Sequence, residues 1–282
     1  MSQGAQLSSE EIKQVLFEDL EIFDRFCDEH QLKYWLVYGT ALGAIRHQGF
    51  IPWDDDLDIA MPDSEWKRLV SIASDNDGYI AEHLRLVSPE LNPSIYTPFG
   101  KIVDTRTVAV EDVLRDDAID GAIGLWIDVF RYTGRPESTV KRHVIDFIYS
   151  GAHAFLKLST WKLRPGESKW GTTARYLLVM PARLLGPSRI NRFMLWFENK
   201  VLPLYGSTRE VYTPTNKKLY WPKEYFSQLV RVPFESGYFP VPAHFDEVLR
   251  RQYDDYMTPP PQQDRRGHGM RVYWTQAPNN QT

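Results

Sequence analysis

The chain has 282 residues, of which 43% are hydrophobic and 25% charged, and its formal net charge is −4. These values are ordinary for one or two soluble globular domains, and the acidic balance argues against a general nucleic-acid-binding protein, which usually carries a basic excess. The single cysteine, Cys27, cannot form an internal disulfide, so a reducing, cytoplasmic setting is expected.

The first 135 residues mix helix and strand patterns. Capping-box spacing of Ser8 and Glu11 predicts a helix from about residue 9 to 30. A short buried strand over 32–38 and a helix over 41–47 follow, with Thr40 as the N-cap of that helix. Alternating apolar residues predict a strand around 57–61 and then a helix to about residue 73. Four further strands are predicted, over residues 84–87, 99–103, 107–111 and 125–130.

The second half has a different pattern. Residues 138 to about 206 are helical in periodicity, with breaks where proline and glycine adjoin at 165–166 and 186–187. One more helix is predicted near 244–256. This order of elements predicts an α+β fold, with a catalytic core over residues 1–135 and a mainly helical region over 136–282.

One stretch of the helical region is strongly basic. Residues 151–206 contain nine Lys and Arg and two acids, a net charge of +7, and they are rich in Trp, Phe and Leu. Such a segment is typical of proteins that lie on an anionic membrane surface, although a helical subdomain with a solvated basic face has the same composition. Because neither a signal peptide nor an apolar run of about 18 residues is visible, we expect a cytoplasmic protein, with peripheral membrane association through residues 151–206 as a hypothesis.

Three acids fall where a cation site would need them. Asp56 and Asp58, read as alternate residues of one strand, are expected side by side, where like charges are costly without a cation between them. Asp128 lies inside the apolar run LWIDVF, so it needs a partner, either a shared cation or an arginine. Mg²⁺ prefers such hard oxygen ligands. The structural alternative for the acidic run is a solvated turn.

Gly39 and Thr40 lie at a predicted strand-to-helix junction. The N-terminus of a helix offers free backbone N–H groups to a phosphate, and glycine lets the backbone approach closely. A phosphate held there, facing a cation on Asp56 and Asp58, would assemble the parts of an in-line phosphoryl transfer. The alternative for this pair is an ordinary helix cap.

Two runs, YGTALGAIRH at 38–47 and GFIPWDDDLDI at 49–59, closely resemble the signature of the LicD family, supported by WIDVF at 126–130. Bacterial phosphorylcholine transferases and the animal fukutin and fukutin-related proteins belong to that family. The resemblance covers residues 21–130, and a weaker echo appears at 253–268. It implies a nucleotidyltransferase-like mixed sheet core flanked by helices. It also implies transfer of a substituted phosphate from a CDP-activated donor to a glycan hydroxyl of the lipopolysaccharide, capsule or teichoic-acid type.

The resemblance also implies roles for particular residues. By the family motif, Asp56, Asp58 and Asp128 would bind Mg²⁺ or Mn²⁺ and carry the catalysis. The expected substrate-binding residues are Gly39, Thr40, Arg46, His47, Trp53, Asp54, Lys101, Arg266 and His268. The irregular C-terminal segment is expected to complete the site. Arg131 and Tyr132 depart from the family pattern, where many relatives have proline, and this is expected to affect the acceptor site rather than catalysis.

Two other functions fit parts of the pattern. A nucleotide-sugar-dependent glycosyltransferase would also use a D-x-D motif, but there the acids normally follow a longer nucleotide-binding region. An inactive relative would bind only nucleotide or glycan. The expected partners are a CDP-linked donor and a glycan or lipid-linked oligosaccharide acceptor, with no nucleic acid.

Overall fold

A computed structural model describes residues 3–110, 114–115, 123–162, 169–265, 267 and 269–275. It has the predicted α+β architecture. The first half contains β1 (Gln3–Gln6), α1 (Ser9–Glu29), β2 (Trp35–Leu36), α2 (Tyr38–His47), β3 (Asp58–Pro62), α3 (Asp63–Ser74), β4 (Leu84–Val87), β5 (Gly100–Asp104), β6 (Thr107–Val110) and β7 (Trp126–Pro136). The second half contains α4 (Thr139–Thr160), α5 (Lys169–Trp196), a π-helical turn (Phe197–Val201), α6 (Leu202–Tyr205), β8 (Gly206–Tyr212), β9 (Tyr220–Pro222), β10 (Leu229–Phe234), β11 (Gly237–Pro242), α7 (Phe245–Tyr253) and β12 (Arg271–Thr275).

The main sheet is mixed, with strand order β2-β3-β7-β5-β4. β3 and β7 run parallel, and every other pairing along this path is antiparallel. The far end of the long strand β7 pairs with β8, which pairs in turn with β9. A second sheet has the order β1-β12-β6, and β10 and β11 form a hairpin. The parallel pair β3–β7 therefore lies near the middle of the main sheet.

Helix α1 covers one face of this sheet. Its predicted capping box is confirmed, because the Glu11 N–H donates to Ser8 Oγ at 3.3 Å and the Ser8 N–H donates to Glu11 Oε2 at 2.7 Å. Its apolar stripe, including Leu16 and Leu20, is fully buried in the same core as Ile59 of β3. Burial of each such side chain contributes about 1.5–3 kcal/mol, so this packing fixes the sheet that carries the acids.

Two local predictions differ from the structure. The strand predicted over 32–38 is only Trp35–Leu36, because α2 already begins at Tyr38. Strands β8 to β12 lie where the sequence predicted helix or irregular chain. Their pairing partners explain the difference: β12, for example, pairs with β6 through Val272 and Ala109, which are far apart in sequence. No local periodicity reports such tertiary pairing.

The helices α4, α5 and α6, together with the π-helical turn between α5 and α6, are here called the helical layer and pack beside the main sheet. Their inner faces share a small core that includes Tyr149, Ile190 and Phe197. α5 is interrupted at Gly186, whose φ of +70° is not helical, in agreement with the predicted break at 186–187. The break predicted at 165–166 lies outside the described residues. Among the described helices, none combines the length and the apolarity needed to cross a bilayer.

A buried ion-pair network joins the helical layer to β7. The Arg131 guanidinium contacts the Glu198 carboxylate and lies 3.3 Å from Asp63 Oδ1 and 3.6 Å from Glu90 Oε1. The Tyr149 hydroxyl donates to Glu198 Oε1 at 2.6 Å. Because these groups are buried together, removing one would leave an uncompensated charge. Arg131, one of the two departures from the family pattern, thus links the layer to the strand that carries Asp128.

Candidate active site

Asp58 and Asp128 lie side by side on the two parallel strands. They are in direct register, with Asp58 opening β3 and Asp128 near the start of β7. The Asp128 N–H donates to the Leu57 carbonyl at 2.8 Å, which locks the two backbones together. The sequence predicted these two acids as partners in one site, and the fold brings them to adjacent strands.

Asp56 lies in the loop before β3, since the strand begins only at Asp58. The premise that Asp56 and Asp58 are alternate residues of one strand is therefore wrong. Their charges still interact. Burial raises the pKa of the Asp58 carboxyl well above its ordinary range, and the nearby charges of Asp56, Asp128 and Asp54 raise it further. Four carboxyl groups thus converge at the start of β3.

Thr40 is not the N-cap of α2. The helix starts two residues earlier, with Val37 as its N-cap, and Thr40 lies within the first turn. The Thr40 hydroxyl accepts a hydrogen bond from the Asp58 N–H at 2.8 Å, and the side chain is buried. Thr40 therefore holds the start of β3 against α2. A hydroxyl engaged with the chain's own backbone in this way is a positioning group in the structure as it stands.

Gly39 lies against the Asp54 carboxylate. A Cβ at this position would lie 2.6 Å from Asp54 Oδ2, so a larger residue would displace that carboxylate from beside the first turn of α2. A carboxylate near a helix N-terminus is electrostatically favourable. Asp54 thus lies where the sequence predicted a phosphate, and we expect an incoming phosphate to approach beside it.

Lys101 and Asp128 form an ion pair across β5 and β7. The Lys101 Nζ donates to Asp128 Oδ1 at 2.7 Å, and Lys101 is only 2% exposed. The ammonium also lies 3.8 Å from the centre of the Trp126 ring, a cation–π contact. Lys101 was predicted to bind substrate, and an arginine was considered as the partner of Asp128; in the structure that partner is Lys101.

Arg46 and His47 close α2 on the side of the C-terminal segment. The Arg46 guanidinium donates to the Tyr256 carbonyl at 2.7 Å and to His47 Nδ1 at 3.4 Å. Burial lowers the pKa of the His47 imidazole, and the positive charge of Arg46 lowers it further. The His47 ring also packs edge-on against Trp53, with centroids 6.2 Å apart. The lowered pKa favours the neutral imidazole, and His47 belongs to the packing around the acidic loop.

The C-terminal segment packs on the acidic loop. The Arg265 guanidinium lies 4.7 Å from the centre of the Trp53 ring, and the Gly269 N–H donates to Asp55 Oδ2 at 3.1 Å. A Cβ at Gly267 would lie 2.8 Å from the Trp53 carbonyl, so the two segments are in close contact. Arg266 and His268, which were predicted to bind substrate, lie outside the described residues.

Three aromatic rings beside the acids were not predicted as site residues. Phe130 contacts Tyr38 edge-on, with centroids 5.0 Å apart, and it contacts Phe99 at 4.8 Å. All three rings are partly exposed. Since alternate residues of a strand share a face, Phe130 projects on the same side of β7 as Asp128. That alternation was the available signal, but only the fold shows that Tyr38 and Phe99 join it.

The donor set fits the predicted divalent cation. The converging groups are carboxylates, the hard oxygen ligands that Mg²⁺ and Mn²⁺ accept, and Asp58 and Asp128 are in register on neighbouring strands. Burial raises the pKa of Asp58 and the charges of Asp56, Asp128 and Asp54 raise it further, so a cation between these carboxyl groups would relieve their repulsion. The residues at this site therefore suit a divalent cation, and carboxylate oxygens alone do not identify which one.

A second acidic cluster lies under α1. The carboxylate oxygens of Asp19 and Asp104 and a ring nitrogen of His83 lie within 4.8 Å of one another. Arg106 already occupies this cluster, with its guanidinium bonding both oxygens of Asp104 at 2.7–3.1 Å and lying 3.7 Å from Asp19 Oδ1. Burial raises the pKa of Asp19 to about 8, and the Asp104 charge adds to this. The chain thus supplies its own cation here.

A cavity of about 970 Å³ lies at the opposite end of β3 from Asp58. It is lined by Pro62, which ends that strand, by Asp63, which begins α3, and by Trp35, Tyr132 and Phe226. Within the described part of the chain, none of the predicted site residues lines it. Its volume is therefore separate from the chemistry at the start of β3.

The family described as LicD/FKTN/FKRP, nucleotidyltransferase domain, matches residues 31–94 of this chain. The lipopolysaccharide cholinephosphotransferase LicD of Haemophilus influenzae is 29% identical over 266 residues, which cover 93% of this chain and 96% of that protein. Uncharacterized proteins of Rickettsia prowazekii and Rickettsia typhi are 44% and 42% identical over 64 residues, which are 20% of this chain and 24% and 21% of those proteins. The predicted resemblance to the LicD family is confirmed, and the matched domain includes Gly39, Thr40 and the acids up to Asp58.

Proposed function

We propose that this chain, as a relative of the LicD proteins, transfers a phosphocholine-type group from a CDP-linked donor to a hydroxyl of a cell-surface glycan. The proposal is supported by the long alignment with a lipopolysaccharide cholinephosphotransferase. One structural observation carries it: Asp58 and Asp128 stand in register on parallel strands, with the charges of Asp54 and Asp56 close by. Such a group of carboxylates is suited to hold a cation against substrate phosphates.

The proposed reaction forms and breaks one P–O bond. The acceptor hydroxyl oxygen attacks the phosphorus that bears the choline, the bond from that phosphorus to the cytidylate oxygen breaks, and CMP leaves. The hydroxyl proton passes to a carboxylate, and Asp128 is the candidate because it is partly exposed beside Asp58. A divalent cation held by Asp56, Asp58 and Asp128 would neutralise the charge that develops on the phosphate oxygens.

Lys101 has a positioning role in this proposal. Its bond to Asp128 Oδ1 fixes the rotamer of that carboxylate, and its burial among aromatic rings leaves the ammonium little freedom to move. A fixed carboxylate is worth more to catalysis than a mobile one, because the reacting oxygen is already oriented. Thr40 orients Asp58 similarly through the Asp58 backbone N–H.

The three rings of Tyr38, Phe99 and Phe130 are the proposed site of the donor's head group. A quaternary ammonium is attracted to aromatic faces within about 6 Å, by about 0.5–2 kcal/mol for each ring. The rings lie on the same side of the sheet as Asp128. A donor could therefore place its ammonium on the rings while its phosphorus, a few bonds away in the same molecule, lies at the carboxylates. This arrangement favours choline over an uncharged glycerol or ribitol.

Nucleotide release tests the proposal. The wild-type chain, Asp58→Asn and the control Asp28→Asn, which alters an exposed carboxylate on α1, are incubated with CDP-choline, CDP-glycerol, CDP-ribitol and UDP-glucose. Each reaction contains a glycan extract and either Mg²⁺ or EDTA. We expect CMP from CDP-choline with the wild type and with Asp28→Asn, and none with Asp58→Asn or with EDTA.

The other outcomes of this assay separate the alternatives. Release of UDP alone would assign the chain to the nucleotide-sugar-dependent glycosyltransferases and would overturn the proposal. CMP release from CDP-glycerol or CDP-ribitol in preference to CDP-choline would keep the reaction class but reject the aromatic head-group site. If no donor is turned over although calorimetry detects tight CDP-choline binding, the chain is a binding protein.

A further inference from the structure

The outer surface of the helical layer exposes large apolar side chains. Of the seventeen large hydrophobic residues that are exposed in the described part of the chain, thirteen lie between Val140 and Tyr205. Phe147 is 79% exposed, Leu184 73% and Leu177 72%. Single exposed hydrophobic residues need no explanation, but a concentration of this kind on one layer marks an interaction surface.

The inner face of the same helices is already satisfied. Tyr149, Ile190 and Met194 are buried in the small core between α4 and α5, so the exposed residues lie outside that core, and Phe147, Leu185 and Phe193 line one groove on the outer side. A helix that is apolar on both faces is expected to have both faces buried when the protein functions. The outer face therefore lacks a partner in the isolated chain.

The fully exposed charges on this surface are cationic. Arg183, Arg189 and Arg192 are exposed on α5, close in sequence to Leu184 and Phe193. Of the three acids between residues 140 and 205, Asp146 is only partly exposed, Glu198 is buried against Arg131, and Glu167 lies outside the described residues. An apolar surface bordered by arginines complements a layer of anionic head groups over acyl chains.

A groove between α4 and α5 adds to this complementarity. It has a volume of about 480 Å³ and is lined almost entirely by apolar side chains, among them Phe147, Phe155 and Phe193, with Arg189 as the charged member. An acyl chain with a phosphate head group matches that combination. A second copy of this chain does not, because it would bring an equally cationic surface against the first.

We propose that the outer face of the helical layer docks on the surface of a bilayer that contains anionic lipids. The break at Gly186 and the interspersed arginines suit a segment that lies in the interface, and none of the described helices can span the membrane. Because Arg131 and Glu198 connect the layer to β7, the bound bilayer would have a fixed position relative to the sheet. The inference does not depend on the transferase chemistry.

Vesicle flotation of the full chain tests the inference without any substrate. The wild type is mixed with vesicles of phosphatidylglycerol and phosphatidylcholine in equal parts, or of phosphatidylcholine alone, at low and high salt. We expect binding to the anionic vesicles, weakened by salt, and little binding to phosphatidylcholine. The double variant Phe147→Glu, Leu184→Glu should have a lower affinity for the anionic vesicles. We expect a loss of at least about tenfold for each of the two side chains that no longer enters the interface.

Matched variants distinguish binding through this surface from non-specific hydrophobic binding to vesicles. Tyr238→Glu with Met257→Glu removes two exposed hydrophobic residues outside the helical layer and should leave binding unchanged. Arg183→Glu with Arg192→Glu should reduce binding and its salt dependence together. Absence of wild-type binding would overturn the proposal, and so would equal loss in the Tyr238 and Met257 control. A dimer in light scattering that Leu184→Glu abolishes would reassign the face to self-association and would also overturn it.

Discussion

Strand β5 carries two ion pairs on its opposite faces, and they are built differently. On the site face, Lys101 holds Asp128 at a single oxygen, and the Asp128 side chain is 17% exposed. On the face covered by α1, Arg106 binds both oxygens of Asp104, whose side chain is completely buried. A carboxylate enclosed by a bidentate arginine has a structural role, whereas a partly exposed carboxylate held at one oxygen can contact a ligand. The contrast distinguishes a site from a scaffold within one strand.

The strongest test of this contrast is Asp58→Asn on the site face. We expect activity to fall more than the roughly 10–100-fold that loss of an outer-shell partner costs, because a proposed ligand is removed. Thermal stability should stay the same or rise, since the carboxyl groups around Asp58 repel one another. CMP release measures the activity of the variant, and thermal unfolding of the same preparation measures its stability. Retained activity would remove Asp58 from the proposed site.

Lys101→Met tests the positioning role of the lysine. Loss of the ammonium frees the Asp128 rotamer, so we expect kcat to fall about 10–100-fold, while KM for the donor changes little. The charge-conserving Lys101→Arg should restore part of kcat. If KM rises and kcat is unchanged, Lys101 binds the substrate directly, as predicted, and the positioning role is wrong.

Asp104→Asn tests the scaffold face. Arg106 would lose its bidentate partner, and we expect a loss of about 1–3 kcal/mol in the free energy of unfolding, moderated because the Arg106 side chain is 39% exposed. The specific activity of the folded fraction should be unchanged. Urea unfolding gives the first quantity and CMP release the second. A fall in specific activity without loss of stability would contradict the structural role of Asp104.

The pH dependence of stability tests Asp19 on the same face. Burial and the Asp104 charge raise its pKa to about 8 in the folded chain, above the ordinary value of about 4. Between these two values the folded state binds more protons than the unfolded state, so stability decreases as the pH rises from about 4 to 8. Asp19→Asn lacks this dependence, and its stability relative to wild type should increase by up to about 1.4 kcal/mol per pH unit. If the free energies of unfolding of wild type and Asp19→Asn depend on pH in the same way, Arg106 and His83 keep Asp19 charged in the folded chain.

Much of the site was predictable because its signals are local. The acids Asp56, Asp58 and Asp128 stand out as charges at or inside apolar strands, and the motif resemblance assigned them a common role. The capping box of α1 and the bounds of β4 also follow from short-range patterns. Features of this kind are determined by a few neighbouring residues, so they can be predicted without knowledge of the tertiary contacts.

The rest depends on tertiary contacts. Thr40 looked like an N-cap, but its hydroxyl bonds Asp58, eighteen residues away. Lys101 and Asp128 meet only because β5 and β7 pair antiparallel. Likewise β12 is a strand because it pairs with β1 on one side and with β6 on the other. Periodicity does not report pairings between residues so far apart in sequence, so no reading of a single sequence could assign them.

Binding of Mn²⁺, followed by its electron paramagnetic resonance signal, is the most direct test of the central claim that the carboxylates around Asp58 form the metal site. Wild type, Asp58→Asn and Asp19→Asn are titrated in the absence of donor and then with CDP-choline. We expect wild type and Asp19→Asn to bind Mn²⁺ and Asp58→Asn to lose this binding. Loss in Asp19→Asn with retention in Asp58→Asn would instead place the metal in the cluster of Asp19, His83 and Asp104.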